Sequence, residues 1–220
     1  MVLFLLPQKT SNPYFMLKVI FVLFFAFSAF SQSYQKINDS AKCKKIINEH
    51  AKSTTSISAD FKEESYSSML TEVQTAHGQL KYKKSDKIRW EHIAPKKQIV
   101  LISGNQIKLF ENGKEIKNAS ANRIAKKVQS LMLQLFNGDF LNEKEFSISY
   151  YENSYNYKLI LKPKNGRMSN YISKIEMVIS KKTLALNQLV LEESESDKII
   201  YTFSTVLFNS TLADSNFTKF

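Results

Sequence analysis

The sequence of 220 residues is poor in the residues that most often build catalytic and metal sites. It has one cysteine, five glycines and three histidines. A single cysteine cannot form an intramolecular disulfide, so packing has to hold the domain together. The glycines form no phosphate-binding loop, dinucleotide fingerprint or nucleophile elbow. Because His50, His77 and His92 stand alone, without an HExxH or CxxC pattern, the sequence predicts no metal site.

The remaining candidates for catalysis are weak. Cys43 has a lysine on either side, which could lower the pKa of its thiol, but no histidine lies near it in the sequence. Acidic residues cluster at 191–197, where a solvated turn is a better interpretation than a pair of catalytic carboxylates. His92 continues the strand face of Trp90 and is interpreted as a wall residue. We therefore predict no catalytic residue, no cofactor and no enzymatic activity.

The charge is basic, with a formal net value of +11. The lysines are scattered, often in pairs, and no block of like charges or nucleic-acid motif accompanies them. We predict no nucleic-acid partner. Two interpretations stay open: attraction to an anionic membrane surface or acidic partner, or lysines that only solubilise exposed strand faces.

The amino-terminal segment has the layout of a secretory signal. Residues 16–31 contain a lysine, an apolar run over 19–27, and small residues at Ala29 and Ser31. This pattern predicts cleavage before Gln32. The run is shorter than a comfortable membrane span, and an uncleaved anchor is the alternative.

These features predict the organisation of the chain. Residues 1–31 are assigned to the signal peptide, and residues 1–15 are interpreted as lying upstream of the true start codon at Met16. Residues 32–220 are predicted to form a single domain, soluble and monomeric, with enough chain to bury a core.

Two segments have helical patterns. Residues 38–51 offer Asn38 or Asp39 as a cap, and Ala41, Ile46 and Ile47 as an apolar stripe. In residues 121–136, apolar residues recur at spacings of four, three and four, which predicts a second amphipathic helix. Its apolar face comprises Ile124, Val128, Leu131, Met132 and Leu135.

Most of the remaining chain alternates with period two and predicts about ten or eleven short strands. Asn112 and Gly113 are typical of a two-residue hairpin turn. Such a meander indicates a curved antiparallel sheet or an up-and-down barrel. Residues 98–103 are apolar on both faces, and aromatic residues make up 12% of the chain. The interior could be filled by these rings or could enclose an apolar cavity.

The stretch GQLKYKKSDKIRWEHIAP, residues 78–95, resembles the bacterial outer-membrane lipoprotein carrier protein LolA family. A Gly-x-Leu strand, a basic pair, an aromatic strand and a proline occur in the family's order, followed by G-N-x-I-x-L-F-E. Upstream, ISADFKEES resembles the family's first strand. The matching residues are Phe61, Gly78, Leu80, Lys83, Lys84, Ile88, Trp90 and Pro95.

The resemblance implies an incomplete, strongly curved antiparallel β-barrel closed by α-helices, a mainly β fold with a helical lid. It implies a periplasmic carrier that takes lipoprotein acyl chains from an inner-membrane ABC transporter to an outer-membrane acceptor. A carrier of another lipid, such as a glycolipid or lipid-linked pigment, and a lipid-sensing regulatory module are the alternatives. The cavity wall would comprise Phe61, Leu80, Tyr82, Ile88 and Trp90, and the lid would be the helix at 121–136.

One position departs from the family pattern. The family's basic pair ends in an arginine before a proline, and that arginine is expected to hold the lid shut. Lys84 and Ser85 stand at the matching places here. Lys84 is therefore the gate candidate, although lysine is a point donor where arginine offers a planar fork. Arg89 has the opposite strand parity from Trp90 and is not an obvious substitute.

Overall fold

The computed structural model describes residues 33–84, 86–104, 106–117, 141–164 and 168–218. The predicted signal peptide lies outside them and stays a prediction. The predicted lid helix also lies outside the described residues, and with it the five residues of its apolar face: Ile124, Val128, Leu131, Met132 and Leu135.

The described residues form twelve strands, one α-helix and one short 3-10 helix. The helices are α1 (Ala41–Ser53) and the 3-10 helix (Asp214–Phe217). The strands are β1 (Gln35–Lys36), β2 (Ser56–Tyr66), β3 (Gln74–Lys83), β4 (Lys87–Ala94), β5 (Gln98–Ser103), β6 (Gln106–Glu111), β7 (Lys114–Glu115), β8 (Phe146–Glu152), β9 (Asn156–Pro163), β10 (Lys174–Ser180), β11 (Leu186–Glu192) and β12 (Lys198–Phe208).

All twelve strands belong to one antiparallel sheet in the order β1-β8-β9-β10-β11-β12-β2-β3-β4-β5-β6-β7. Two meanders, β2 to β7 and β8 to β12, are joined where β12 pairs with β2. In the described part of the chain, β1 and β7 each have a neighbour on one side, so the sheet is not closed. The prediction of an incomplete barrel is confirmed. The strand count exceeds the predicted one because β1, a Gln-Lys pair, has no apolar alternation to reveal it.

Helix α1 begins at Ala41 with Ser40 as its N-cap residue, one or two residues after the predicted caps Asn38 and Asp39. The backbone N–H of Ala41 donates to Asp39 Oδ1 at 3.0 Å, which satisfies one of the open donors of the first turn. Cys43 and Ile47 are the buried residues of the helix. Ala41 is exposed, so the predicted apolar stripe is wrong at this position, because the buried face passes through Cys43 instead.

The inner face of the sheet is an almost continuous apolar surface. Neighbouring strands place their apolar residues in register, as in the row Ala59, Leu80, Trp90 and Val100. The core cluster extends from these strands to β8, β9, β10 and β11 and includes Cys43 and Ile47 of α1. Helix α1 therefore lies against the inner face of the sheet.

The outer face has a smaller apolar cluster of Ile99, Leu101 and Phe110. The 3-10 helix lies beside β4 and β5 on this side of the sheet, and its Phe217 is buried. This covering explains why β5 is apolar on both faces.

Basic residues on the outer face bind the carboxyl-terminal segment. Lys83 Nζ and Lys87 Nζ contact Asp214 Oδ1 at 2.8 and 3.0 Å. The Arg89 guanidinium donates to the backbone oxygen of Asn216 at 3.2 Å. These three side chains therefore contact the segment that contains the 3-10 helix.

Candidate ligand-binding site

A cavity of about 90 Å³ lies between α1 and the inner face of the sheet. Helix α1, the first two strands of one meander, and β10 to β12 of the other contribute its walls. Among the lining residues only His50 and Thr54 have polar side chains; the full lining comprises Ile47, His50, Ala51, Thr54, Ile57, Ala59, Leu80, Met177, Ile179, Leu184, Leu186, Phe203, Val206 and Phe208.

The helical wall of the cavity follows from the periodicity of α1. Ile47, His50, Ala51 and Thr54 recur at the three- and four-residue spacing of one helix face. Thr54 Oγ1 donates to the backbone oxygen of His50 at 2.8 Å, which satisfies both the hydroxyl and a carbonyl of the last turn. The polarity of Thr54 is thus satisfied within the helix end.

The β12 wall depends on a bulge. The register with β2 shifts between Ser204 and Leu207, and Thr205 has a positive φ of 52°. A bulge inserts a residue and changes which side chains face the interior. As a result Val206 and Phe208 line the cavity, while Leu207 is 55% exposed.

His50 is the titratable residue of the described lining. Its ring packs edge-on against Phe208, with centroids 4.6 Å apart and planes at 84°. Its Nε2 atom is buried and has no hydrogen-bond partner among the described residues. Burial lowers the pKa of His50 below its ordinary value of 6.5, so the imidazole is neutral at neutral pH.

Aromatic rings fill the inner face beside the cavity. Phe61 and Trp90 stack with centroids 4.6 Å apart, and Tyr201 meets the Trp90 ring edge-on at 5.1 Å. Phe203 stacks beside Tyr201 at 6.3 Å. This part of the interior is filled by side chains, and the cavity is confined to the region beneath α1.

The five residues predicted for the cavity wall are all buried on the inner face: Phe61, Leu80, Tyr82, Ile88 and Trp90. Of these, Leu80 lines the cavity, and the other four belong to the surrounding core. Their role in lipid binding stays a prediction. Sequence reasoning missed the walls from α1 and β12. For α1 the available signal was the three- and four-residue spacing of Ile47, His50 and Thr54, whereas the bulge hid the pattern of β12.

A polar cluster borders the aromatic rings. Glu63 Oε2 lies 2.8 Å from His92 Nε2, and the hydroxyl groups of Ser65 and Tyr201 also donate to the Glu63 carboxylate. Burial alone would raise the pKa of Glu63, but these hydrogen bonds and the charge of His92 hold it below 4.5. His92 thus lies on the inner face, as expected for a wall residue, with its imidazole engaged by Glu63.

The gate candidate Lys84 contacts α1. Its Nζ donates to the backbone oxygen of Lys52 at 3.0 Å, and its backbone N–H donates to Thr55 O at 2.8 Å. A cation at the carboxyl end of a helix is favourable because open carbonyl groups and the helix dipole are both there. Lys84 therefore connects the end of β3 to the last turn of α1. Its role as a gate stays a prediction, because the predicted lid lies outside the described residues.

Two other groups considered for catalysis, Cys43 and the acidic turn with Asp197, have the following surroundings. Burial raises the pKa of the Cys43 thiol to about 11, with a further contribution from the Glu152 carboxylate. In the acidic turn, Asp197 accepts a hydrogen bond from the backbone of Ser68 at 2.7 Å. No group of three potential metal ligands occurs within the residues that the structure describes. No helix in the same residues has the length and apolar character needed to cross a bilayer.

Comparison with known proteins decides the family. The model of the family "Outer membrane lipoprotein carrier protein LolA" matches residues 52–219. The chain belongs to this family. The LolA match begins in the last turn of α1 and includes every described strand except β1.

The chain also resembles individual proteins, both by sequence and by structure. The outer-membrane lipoprotein carrier protein of Pseudomonas paraeruginosa is 26% identical over 149 residues, which cover 67% of this chain and 70% of the relative. Among solved structures, a LolA superfamily protein from Nitrosomonas europaea is 14% identical, with 80% of this chain and 97% of that chain covered and a TM-score of 0.44. A DUF1329 family protein from Desulfovibrio piger is also 14% identical, with coverages of 82% and 98% and a TM-score of 0.41.

Proposed function

We propose that this protein is a periplasmic carrier that binds the acyl chains of lipoproteins inside its half-barrel and ferries them from the inner to the outer membrane. The observation that carries the proposal is the cavity beneath α1, whose described walls are apolar except for His50 and Thr54. Membership of the LolA family supports a lipid- or lipoprotein-binding carrier. An inner-membrane ABC transporter as donor and an outer-membrane acceptor belong to the same proposal.

Burial of hydrocarbon supplies the driving force for loading. Each methylene group moved from water into an apolar site contributes about 0.8 kcal/mol. The cavity of about 90 Å³ is smaller than an apolar cavity of about 150 Å³ that accommodates benzene. A complete acyl chain therefore needs α1 to move away from the sheet.

The contacts of α1 are suited to such a movement. Its buried residues are Cys43 and Ile47, the ring of His50 packs against Phe208, and exposed polar contacts lie near its two ends. Lys44 Nζ pairs with Glu143 at 2.9 Å, and Lys84 binds the carbonyl of Lys52. Exposed ion pairs contribute about 0–1 kcal/mol each, so the Lys44–Glu143 pair opposes a movement of the helix only weakly.

A release assay tests the proposal. Purified protein is incubated with spheroplasts that hold a triacylated lipoprotein in the inner membrane, and the soluble fraction is examined by size exclusion and mass spectrometry. The expected result is a soluble complex of the protein with the lipoprotein. Failure to release lipoprotein would contradict lipoprotein transport, and a co-purifying glycolipid or pigment would favour the alternative cargo.

Adjacent residues of β12 provide a matched pair of variants for this assay. Val206→Glu places a carboxylate in the apolar cavity, where an unpaired charge is strongly unfavourable. Leu207→Glu adds the same charge at the exposed neighbouring position. We expect Val206→Glu to lower the released lipoprotein by about tenfold or more, and Leu207→Glu to release the wild-type amount.

A further inference from the structure

One end of the sheet brings together the carboxyl end of α1 and three turns. The β3–β4 turn contacts α1, since Lys84 Nζ donates to the backbone oxygen of Lys52 at 3.0 Å. The β10–β11 and β8–β9 turns are joined by a hydrogen bond of 2.8 Å from the backbone N–H of Lys181 to the carbonyl oxygen of Tyr155. Leu184 of the β10–β11 turn lines the same cavity as the last turn of α1. We call these four segments the cavity end of the sheet.

Three exposed lysines of the cavity end have no carboxylate partner among the described residues. They are Lys52 in the last turn of α1, Lys84 in the β3–β4 turn and Lys182 in the β10–β11 turn. None of the ion pairs of the described chain includes them. Lys84 uses one N–H for the carbonyl of Lys52, and an ammonium group has three.

Most carboxylates near these lysines are engaged by other cations. Glu152, beside the β8–β9 turn, pairs with Lys181 at 2.7 Å, and Asp214 pairs with two lysines of β3 and β4. Glu49 of α1 lies near a lysine one turn earlier in the helix. Asp86 of the β3–β4 turn is half-buried and leaves one negative charge against the three lysines. The cavity end therefore carries an excess of positive charge.

An exposed tyrosine accompanies the lysines. Tyr155, in the β8–β9 turn, is 62% exposed. Its turn is ordered by Asn153, whose Oδ1 accepts hydrogen bonds from the backbone N–H groups of Tyr155 and Asn156 at 2.9 and 2.8 Å. Tyrosine is enriched where a membrane meets water, because its ring is apolar and its hydroxyl group is polar. An ordered, exposed tyrosine beside lysines without carboxylate partners is suited to contact with lipid headgroups.

We propose that the cavity end is the surface with which the protein docks on an anionic membrane leaflet. Lys52, Lys84 and Lys182 attract the phosphate groups of anionic lipids, and Tyr155 enters the headgroup layer. This inference rests on the proposed carrier function and deepens it, since it names the surface that the carrier presents to the membrane. Docking through this end brings the cavity beneath α1 close to the bilayer with which acyl chains are exchanged.

The arrangement favours a membrane over an acidic protein. The lysines belong to three separate segments, which suits an extended negative surface more than a single anionic group. Two of them adjoin the apolar lining in sequence, since Lys52 follows Ala51 and Lys182 lies two residues before Leu184. An acidic protein would use only the charges, whereas a bilayer also supplies the hydrocarbon that the cavity accepts. Each lysine at an anionic membrane surface strengthens binding by about fivefold.

Binding of the purified protein to two kinds of vesicles tests the inference. One kind contains phosphatidylglycerol and phosphatidylcholine in equal parts, the other phosphatidylcholine alone, and flotation in a density gradient measures the bound fraction. We expect the protein to bind the anionic vesicles and to bind the neutral ones little. Added salt should weaken binding, because it screens surface charge. Absence of binding to the anionic vesicles would overturn the proposal and favour an acidic protein as the partner of these lysines.

Two double variants locate the contact. Lys52→Gln with Lys182→Gln removes two charges from the cavity end and keeps the backbone oxygen that Lys84 contacts. The matched control, Lys97→Gln with Lys114→Gln, removes two exposed lysines at the opposite end of the sheet. We expect the first pair to weaken binding to anionic vesicles by about twenty- to thirtyfold, and the control to weaken it by about threefold at most. An equal loss from both pairs would mean diffuse attraction and would overturn the docking surface.

A second measurement shows which end of the protein meets the lipid. The chain has one tryptophan, Trp90, which is buried. Tyr155→Trp adds an indole to the cavity end, and Tyr171→Trp adds one before β10, at the opposite end, where the tyrosine is 51% exposed. Brominated lipid in the anionic vesicles should quench the added fluorescence of Tyr155→Trp and spare that of Tyr171→Trp. Equal quenching, or stronger quenching of Tyr171→Trp, would contradict docking through the cavity end.

The two proposals fail in different ways. Release of lipoprotein from spheroplasts, together with equal losses of vesicle binding in the two double variants, overturns the docking surface and leaves the carrier. Vesicle binding that depends on Lys52 and Lys182, without any lipoprotein release, overturns the lipoprotein carrier and leaves a protein that docks on anionic membranes.

Discussion

The ring of Phe61 on β2 occupies the space that a side chain at Gly78 on β3 would need. The two residues are partners in the register of these strands, and a β-carbon at position 78 would collide with the Phe61 ring and with the carbonyl oxygen of Glu91. The stacking of Phe61 on Trp90 therefore depends on a glycine in the neighbouring strand.

Gly78→Ala should destabilise the protein by about 1–3 kcal/mol, the usual range for overpacking a core. Urea denaturation measures the change. Combining it with Phe61→Leu should give a smaller loss than the sum of the single changes, because the smaller side chain leaves room for the methyl group. A stability within about 0.5 kcal/mol of wild type for Gly78→Ala would show that both the Phe61 ring and the Glu91 carbonyl group move aside freely.

Lys84→Leu should loosen α1 without unfolding the sheet. It removes the hydrogen bond from Nζ to the carbonyl of Lys52, which is worth about 0.5–1.5 kcal/mol. Amides of α1 should therefore exchange with deuterium roughly two- to tenfold faster. Lys84→Arg should restore protection, and Lys182→Leu, in an exposed turn, is the control. Unchanged amide exchange of α1 in Lys84→Leu would show that other contacts hold the helix on the sheet.

Glu63→Gln should reduce the acid sensitivity of the fold. The hydrogen bonds of Glu63 hold its pKa in the folded protein below 4.5, so the stability it contributes is fully present above that pH. This contribution is lost as the pH falls from 4.5 through the lower folded pKa. Denaturation at pH 7 should show a less stable variant, and the difference from wild type should shrink towards pH 3. As a control, Glu195→Gln, in the exposed acidic turn, should show the wild-type dependence of stability on pH. A difference in stability between Glu63→Gln and wild type that stays constant with pH would exclude a contribution from the pKa of Glu63.

The carboxyl-terminal segment should be stabilised more by Phe217 than by its ion pairs. Phe217 is 3% exposed, and truncating a buried phenylalanine costs about 3–5 kcal/mol. Asp214 pairs with Lys83 and Lys87 at the surface, where ion pairs contribute little. Thermal unfolding should show a large loss for Phe217→Ala and a much smaller one for Asp214→Asn. A reversed order would mean that electrostatics holds this segment.

Local pattern predicted most of the sheet. Alternation identified most of the strands from β2 to β12, as in Ile88 and Trp90 of β4. The hairpin signal at Asn112 and Gly113 indicated β7, which has no apolar residue. The open, curved arrangement followed from the family resemblance. β1 escaped prediction because its two polar residues pair with β8, far along the chain.

The site was harder to predict because its walls depend on irregular and long-range features. Period-two reasoning fails at the β12 bulge, where the positive φ of Thr205 exchanges the faces of the following residues. No sequence motif marks His50, and its position in the cavity wall depends on packing against Phe208 of β12, which is distant in the sequence. The role of the basic residues of β3 and β4 could not be predicted either, because Lys83 and Lys87 pair with Asp214, which is distant in the sequence.

The pairing of β2 with β12 sets an order of events for the newly made chain. Tyr66 is opposite Lys198, and Ile57 is opposite Phe208, so the first long strand finds one of its two partners only after more than 130 further residues have been synthesised. Until then the two meanders are separate and the inner face is open, and sheets that depend on such distant pairings form slowly. Completion of the inner face, and of the cavity on it, therefore waits for this distant pairing.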